Sequence, residues 1–408
     1  MIELKRERYL SRIRPFYRDA DVIKVLTGVR RCGKSTILRQ IIRELREEGV
    51  DSASLVYIDL DSKKHLGIKT SDALERLIDS EFGDCQGSRY LFIDEIQNVK
   101  DFEPLINAYR NDGASVFITG SNSYLLSGEL TTKLTGRYIE FRIFTFSLGE
   151  VKALYQANSM AFIPSDAFQE YLMNGGYPKS FEYSDQESKS LYIRSVIDET
   201  IKKDILKSRK VRNKTLIGKL LDYILSTPGA EISSTSIADY LRSEHVRTTP
   251  NTVNSYLDLI FSSKLADKCL RFDIFGKKAL KTHYKSYVAD ISLHTSYPSR
   301  RHDLRMGHIL ENIVFNELNS RGYDVQVGKL GDAEVDFVVS NGRDIAYIQV
   351  TYLIASPDTE EREERPLLRI VDNYPKYIIS MDPIAVDRKG IKRLRLVEDF
   401  LLGDGFKF

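Results

Sequence analysis

The chain has 408 residues, of which 42% are hydrophobic and 29% charged, with 60 lysines and arginines against 58 aspartates and glutamates. At roughly 150 residues per domain the length suggests two to three domains, and the composition excludes a disordered chain. A net charge of +2 excludes a histone-like polycation but allows a local basic face.

Residues 1–20 form a basic, amphipathic lead-in, with Arg6, Arg8, Arg12 and Arg14 interleaved with Tyr9, Leu10 and Ile13. From Asp21 the pattern predicts strand, loop and helix: VIKVLTG, GVRRCGKST, then ILRQIIRELREEG with helical periodicity to Gly49. Further strands are predicted at 54–60, 89–95, 115–121 and 137–144, with helices at about 70–82 and 102–111. Such alternation indicates a parallel sheet covered on both faces. From 148 to about 226 the chain reads as helical, broken at Pro164 and at Asn174-Gly175-Gly176-Tyr177-Pro178, a pattern suited to a lid or linker. Two short helices follow, one capped by Ser233 or Ser234 and one by Thr249 with Pro250 at its first position. Strands at 265–275 and 280–290 then meet at Gly276-Lys277-Lys278. Two helices and a hairpin form a winged helix-turn-helix pattern. The last unit starts near Arg305: a helix to Gly322, strands at 323–329, 333–340 and 345–353, a helix at 359–371, a strand at 374–381 and a closing segment from Ile391.

The expected fold class is α/β: a P-loop parallel sheet with helices on both faces over 1–146, a helical lid over 147–226, a winged helix over 227–300 and a carboxy-terminal α/β domain over 301–408. Cys32, Cys85 and Cys269 form neither a metal-type pair nor a disulfide framework, which suits a reducing cytoplasm. No apolar run approaches the roughly 20 residues that span a bilayer, and the first 19 residues have no apolar core of the secretory kind. Cytoplasmic location and no membrane contact are therefore expected.

Gly28-x4-Gly33-Lys34-Ser35 matches the phosphate-loop pattern G-x-x-x-x-G-K-[ST], in the required setting between a strand and a helix. In such a loop, Gly28, Val29, Arg30, Arg31, Cys32, Gly33, Lys34, Ser35 and Thr36 surround the phosphates of a nucleotide such as ATP. The main-chain N–H groups and the positive helix end favour an anion. Lys34 would reach the β- and γ-phosphates, and Ser35 would ligate Mg²⁺. That ion needs a carboxylate, and YLFIDE ends in one: Asp94 would hold the metal through water, while Glu95 would orient or deprotonate the attacking water. If the strand VFITGS lies beside the phosphate-loop strand, Thr119, Ser121 and Asn122 come near the γ-phosphate, with Asn122 as the expected contact. Arg137, after a glycine, suits either an arginine finger on a neighbouring subunit's nucleotide or an ordinary surface position.

GVRRCGKST, FIDEIQ, ITGSNS, LTGR and FSLGE together resemble the AAA+-type ATPases of bacteria and archaea, near the signal-transduction and origin-recognition branches. The likeness covers the whole chain, including the GGYP loop at 175–178. It implies ATP hydrolysis, assembly into a homo-oligomer, and a nuclease-like domain after the ATPase.

In the helix pair, Asn251, Asn254 and Ser255 lie near the start of the second helix, with Arg242, Arg247, Lys264, Lys268 and Arg271 around it and Lys277, Lys278 and Lys281 at the hairpin. This arrangement suits phosphate and base-edge contacts to DNA; docking of a protein partner is the alternative. The carboxy-terminal helix followed by AEVDFVV and YIQVTY resembles the restriction-endonuclease core. Glu311 and Asp336 match its carboxylates. Gln349-Val350-Thr351 stands where that core has Glu-x-Lys. Gln349 can offer an oxygen ligand, but Thr351 cannot replace a cation. The expectation is a degenerate, silent centre, with Lys329 as a candidate for the missing charge and an active metal-dependent nuclease as the alternative. The whole reads as an ATPase coupling nucleotide state to DNA, or else as an ATP-dependent switch on a protein partner.

Overall fold

The computed structural model describes residues 3–85, 87–120, 134, 136–206, 211–297 and 306–407. Among these the chain divides into two compact units, Glu3–Phe144 with Ser262–Lys264, and Thr145–Phe261 with Leu265–Phe408.

The first unit opens with α1 (Glu7–Ile13), then β1 (Ile23–Thr27), α2 (Lys34–Glu47), β2 (Leu55–Asp59), α3 (Ser71–Phe82), β3 (Tyr90–Asp94), α4 (Glu103–Asn111), β4 (Ser115–Thr119) and β5 (Tyr138–Arg142). The strands form one parallel sheet in the order β2-β3-β4-β1-β5. Every residue of β1, β3 and β4 is buried, so these strands are largely apolar and do not alternate; the exception inside β1 is the buried Lys24, whose amine donates to the Ser115 hydroxyl at 2.8 Å. α2 lays Ile37, Leu38, Ile41, Ile42 and Leu45 along its buried stripe, the i, i+4 spacing of an amphipathic helix. α3 is capped by Thr70, whose hydroxyl accepts the Ala73 N–H at 3.4 Å.

The basic lead-in is bound to α2 through one carboxylate. Glu44 accepts from Arg14 Nε at 2.9 Å and Nη2 at 2.7 Å, from the Tyr17 hydroxyl at 2.8 Å, and lies 2.7 Å from Lys5 Nζ. Arg14 also pairs with Glu7.

The second unit contains α5 (Leu148–Ala157), α6 (Pro164–Asn174), α7 (Gln186–Thr200), α8 (Lys214–Ser226), β6 (Glu231–Ile232), α9 (Ser234–Ser243), α10 (Pro250–Ser262), β7 (Ala266–Asp273), β8 (Lys278–Val288), α11 (Ile291–Thr295), α12 (Met306–Ser320), β9 (Asp324–Leu330), β10 (Ala333–Ser340), β11 (Ile345–Val350), α13 (Pro357–Leu368), β12 (Lys376–Ser380) and β13 (Ile391–Arg395). FSLGE is a helix start: Ser147 accepts the Glu150 N–H, and Glu150 accepts the Ser147 N–H, a capping box opening α5. Ser233 caps α9 by accepting the Ser236 N–H, and Thr249 accepts the Thr252 N–H at the start of α10. The GGYP loop also has a structural task. A side chain at Gly175 would collide with Asp290, whose Oδ1 lies 1.7 Å from where a Cβ would sit. The buried Asp290 accepts from the Gly176 N–H at 2.8 Å and from the Ser292 N–H and hydroxyl.

The strands of this unit form one sheet in the order β13-β12-β11-β10-β9-β7-β8-β6. β7 runs parallel to β9, pairing Arg271 with Val327 and Asp273 with Lys329. The hairpin expected as a wing is thus built into the same sheet as the carboxy-terminal strands, and the expected boundary at residue 300 falls between strands that share that sheet. The join is close: a Cβ at Gly328 would lie 2.9 Å from both Ile274 and Val338 side chains. Tyr287 of β8 and Phe315 of α12 stack at 4.4 Å in the core below. No helix among the described residues is long and apolar enough to cross a membrane.

The hydrogen bonds from Arg14 outweigh the opposing effect of burial and, with those from Lys5 and Tyr17, hold the Glu44 carboxyl down at about 2, against an ordinary 4.5. A carboxyl lowered by folding stabilises the fold fully above its unfolded value, and that contribution disappears as pH falls towards the folded one. Stability should therefore drop between about pH 4.5 and pH 2, and Glu44→Gln should flatten that part of a melting-temperature profile. An unchanged slope in the variant would show that Glu44 is not the group responsible.

Candidate nucleotide site and the carboxy-terminal charge cluster

β1 ends at Thr27 and α2 starts at Lys34, so the phosphate-loop residues bridge a strand end and a helix start at the carboxyl edge of the sheet. Three of them hold left-handed backbone: Gly28 at φ 136°, Arg31 at φ 64° and Gly33 at φ 107°. Gly28 is required for a second reason. A Cβ there would lie 2.0 Å from the Ile143 carbonyl oxygen and 3.0 Å from Cys32 Sγ. Lys34 is buried and donates to the carbonyls of Gly28 at 2.9 Å and Val29 at 3.4 Å. Its amine thus lies across the loop's own main chain. Val29 and Cys32 are buried, Arg30, Ser35 and Thr36 half-buried, and Arg31 exposed.

β4 lies between β1 and β3, as required for the polar end of VFITGS to approach the phosphate loop. Thr119 ends β4 and joins the two halves of the acid pair. Its hydroxyl donates to Asp94 Oδ1 and accepts the Glu95 N–H at 3.1 Å. Asp94 is buried, and its other oxygen accepts from the Tyr57 hydroxyl at 3.1 Å. Burial and the Asp94 charge push the Tyr57 phenol up. Glu95 is half-buried in left-handed backbone at φ 59°, a sparsely populated state for a residue with a side chain. Gln97 Nε2 donates to its carboxylate at 2.5 Å.

These residues fit a magnesium nucleotide. A glycine that nothing larger can replace sits beneath the loop, a lysine lies across it, and a buried carboxylate faces two hydroxyl donors at the same sheet edge. Ser121 and Asn122 lie outside the described residues. Arg137 is exposed and precedes Tyr138, which pairs with Ile23 at the opposite end of β1. At about 3.3 Å per strand residue it is separated from its own phosphate loop by about 16 Å of strand. Tyr57 and Gln97 were not legible as site residues. Nor was Arg6, which is buried beneath the loop and donates to Cys32.

In the second unit Glu311, Asp336 and Gln349 are all buried, and each is already engaged. Gln349 Oε1 accepts the Asp336 N–H at 3.2 Å, and Asp336 Oδ2 accepts the Val350 N–H at 2.8 Å. Gln349 therefore ties β10 to β11 with the oxygen it was expected to offer a metal. The cation at this centre is Lys285 of β8, 3.1 Å from Glu311 Oε2 and 2.8 Å from Glu334 Oε1. Lys329, the expected substitute, is exposed on β9. Tyr287 adds a donor to Glu311 at 3.2 Å, and Arg271 bridges Glu334 and Glu231. Burial and the Glu311 charge push the Asp336 carboxyl well above the usual carboxylate range, with Lys285 opposing. Among the described residues, no group of three or more His, Cys, Asp or Glu side chains is placed to hold a metal.

Around α10, Asn251, Asn254 and Ser255 are exposed, as are Arg247, Lys277 and Lys278. Several nearby cations are matched within the fold: Arg242 with Asp239, Lys268 with Asp258 at 2.6 Å, and Arg271 as above. Removing the buried cation of the carboxy-terminal centre leaves its acids uncompensated. Lys285→Met should therefore cost about 3 kcal/mol or more, measurable as a shift in the chemical-denaturation midpoint. A near-neutral result would show that Glu311 and Asp336 do not depend on that charge.

Residues 20–152 match the AAA domain family, and residues 165–300 match a domain of unknown function, DUF8612. An uncharacterized protein of Haemophilus influenzae is 34% identical over 383 residues, covering 92% of this chain and 93% of its own length. An uncharacterized protein of Methanocaldococcus jannaschii is 26% identical, covering 91% and 84%. Among solved structures, the Walker-type ATPase of Pyrococcus abyssi shares the fold, with a TM-score of 0.51 at 15% identity over 72% of this chain and 95% of that one. With near full-length likeness at 34% identity, the chain belongs to the same family as the Haemophilus protein, and its residues 20–152, around the phosphate-loop pattern, form an AAA domain.

Proposed function

We propose that the chain binds ATP with Mg²⁺ at Gly28–Thr36 and hydrolyses it, and that the nucleotide state governs engagement of DNA through the α9–α10 helix pair. The observation that carries the nucleotide reading is the strand order. With β4 between β1 and β3, the phosphate loop, Thr119, Asp94 and Glu95 converge at one sheet edge. In this reading the loop amides and Lys34 bind the phosphates, and Ser35 and Asp94 hold the metal. When bound, Mg²⁺ would neutralise charge on the β- and γ-phosphates. Glu95 orients the attacking water or takes its proton once Gln97 releases the carboxylate. Asn122 remains the proposed γ-phosphate contact. In this reading Arg137, separated from its own loop by the length of β1, acts on a neighbouring subunit's nucleotide within a homo-oligomer, the alternative being an ordinary surface position, and the proposed setting is the cytoplasm.

A second reading, a nucleotide-dependent switch on a protein partner, is favoured by the internal pairing of Arg242, Lys268 and Arg271, which leaves fewer cations for phosphate contacts. For the carboxy-terminal cluster we propose a structural role, because its lysine, glutamine and acids satisfy one another.

ATPase rates with and without duplex DNA, with particle mass followed in parallel, separate these readings. Lys34→Ala should abolish nucleotide binding or turnover. Glu95→Gln should keep binding and lose roughly a hundredfold or more in turnover, as for removal of a catalytic base. Normal turnover in Glu95→Gln would reject that role. Stimulation by DNA, with affinity falling steeply as salt rises, is expected of the first reading; its absence supports the switch. Plasmid incubated with Mg²⁺ or Mn²⁺ should stay intact. Cleavage that Asp336→Ala removes would overturn the structural role of the cluster.

A further inference from the structure

The amino-terminal segment places one cation beneath the phosphate loop. Arg6 is 1% exposed, although arginine is among the residues least often buried. Its Nη1 donates to the carbonyl of Cys32, inside the loop, at 2.9 Å, and to the carbonyl of Phe144 at 2.9 Å. Gln40 anchors the Arg6 main chain and Tyr9 lies against its guanidinium. The Arg6 N–H donates to Gln40 Oε1 on α2 at 3.1 Å. The Arg6 guanidinium lies 4.5 Å from the centre of the Tyr9 ring. The Tyr9 hydroxyl accepts the Phe144 N–H at 3.2 Å. Gly33 is close enough that a Cβ there would lie 3.5 Å from Arg6 Nη1.

Peptide geometry turns this contact into a functional constraint. No peptide among the described residues is cis, so the C=O and N–H of the Cys32–Gly33 unit point in opposite directions. With the carbonyl drawn to Arg6, the Gly33 N–H is directed away from it. In a phosphate loop, that is one of the amides that must face the anion. The guanidinium also carries a permanent charge in a low-dielectric setting, where charge-assisted hydrogen bonds are strong and a nearby anion is favoured. We propose that Arg6 is a positioning residue for nucleotide binding: it holds the Cys32–Gly33 peptide with its amide turned towards the phosphate and adds positive charge beneath the loop. This inference rests on the reading of Gly28–Lys34 as a nucleotide site.

The test is calorimetric titration of the full chain with MgATP, alongside thermal unfolding. The variants are Arg6→Lys, which keeps the charge but not the planar fork; Arg6→Ala, with and without added guanidinium ion; and Arg14→Ala, which loosens the same segment at the far end of α2. Arg6→Lys should bind MgATP at least about tenfold more weakly, equivalent to about 1.4 kcal/mol. Guanidinium should restore part of the affinity lost in Arg6→Ala. Arg14→Ala should lower the melting temperature without moving the dissociation constant. Wild-type affinity in both Arg6 variants overturns the proposal, as does a loss that Arg14→Ala reproduces. An Arg6 variant that fails to fold, and that guanidinium restores in neither fold nor binding, assigns the residue to stability and overturns it too. A wild-type chain that binds no MgATP is a different failure, that of the nucleotide site itself, and is visible before any variant is made.

Discussion

The carbonyl oxygen of Ile143 stands where a side chain at residue 28 would have to be. That close approach forces the strand-to-helix turn to begin at a glycine, and the remaining features of the loop depend on it. The chain leaving β5 packs against the chain leaving β1: Ile143 donates its N–H to Thr27 at 2.8 Å, and its oxygen fills the space below Gly28. The loop is thereby carried on the sheet edge, with Gly33 in left-handed backbone at the start of α2. Arg6 then grips the loop carbonyl at Cys32 from beneath. Backbone, strand order and buried cation are together what the proposed anion site at the amino end of α2 rests on.

The parts of this arrangement that were legible in the sequence are those with short-range signatures. A buried strand, a glycine-rich loop and an amphipathic helix are adjacent in the chain, and the fixed offsets from Gly28 to Ser35 form the phosphate-loop pattern. Asp94 and Glu95 were recognisable because they end an apolar strand. Tyr57 and Arg6 were not, because their roles come from register and from a contact spanning 138 residues. Parallel pairing of β2 with β3 sets Asp59 against Asp94 and brings the Tyr57 hydroxyl within 3.1 Å of the Asp94 carboxylate. Two motifs of the family resemblance, FSLGE and GGYP, have structural explanations, a capping box and a glycine pair closed over Asp290.

The carboxy-terminal centre shows why residue identity alone misleads. Glu311, Asp336 and Gln349 gather near one another in the fold, where the expectation was a degenerate nuclease-like centre. The lysine that joins them comes from β8, in the hairpin expected to form a separate wing, because β7 pairs in parallel with β9. A local pattern cannot reveal that pairing. Once it exists, the charges there satisfy one another: Lys285 with Glu311 and Glu334, Arg271 with Glu334 and Glu231. The chemistry most open to an external ligand lies instead at the other unit's sheet edge.

A crystal structure of the full chain with Mg²⁺ and a non-hydrolysable ATP analogue tests this account most directly. The account predicts the triphosphate wrapped by the Gly28–Ser35 main chain, Lys34 Nζ moved from the Gly28 carbonyl to the phosphates, and the metal between Ser35 and Asp94. A nucleotide bound elsewhere, or Lys34 still lying across an empty loop at saturating analogue, would contradict it.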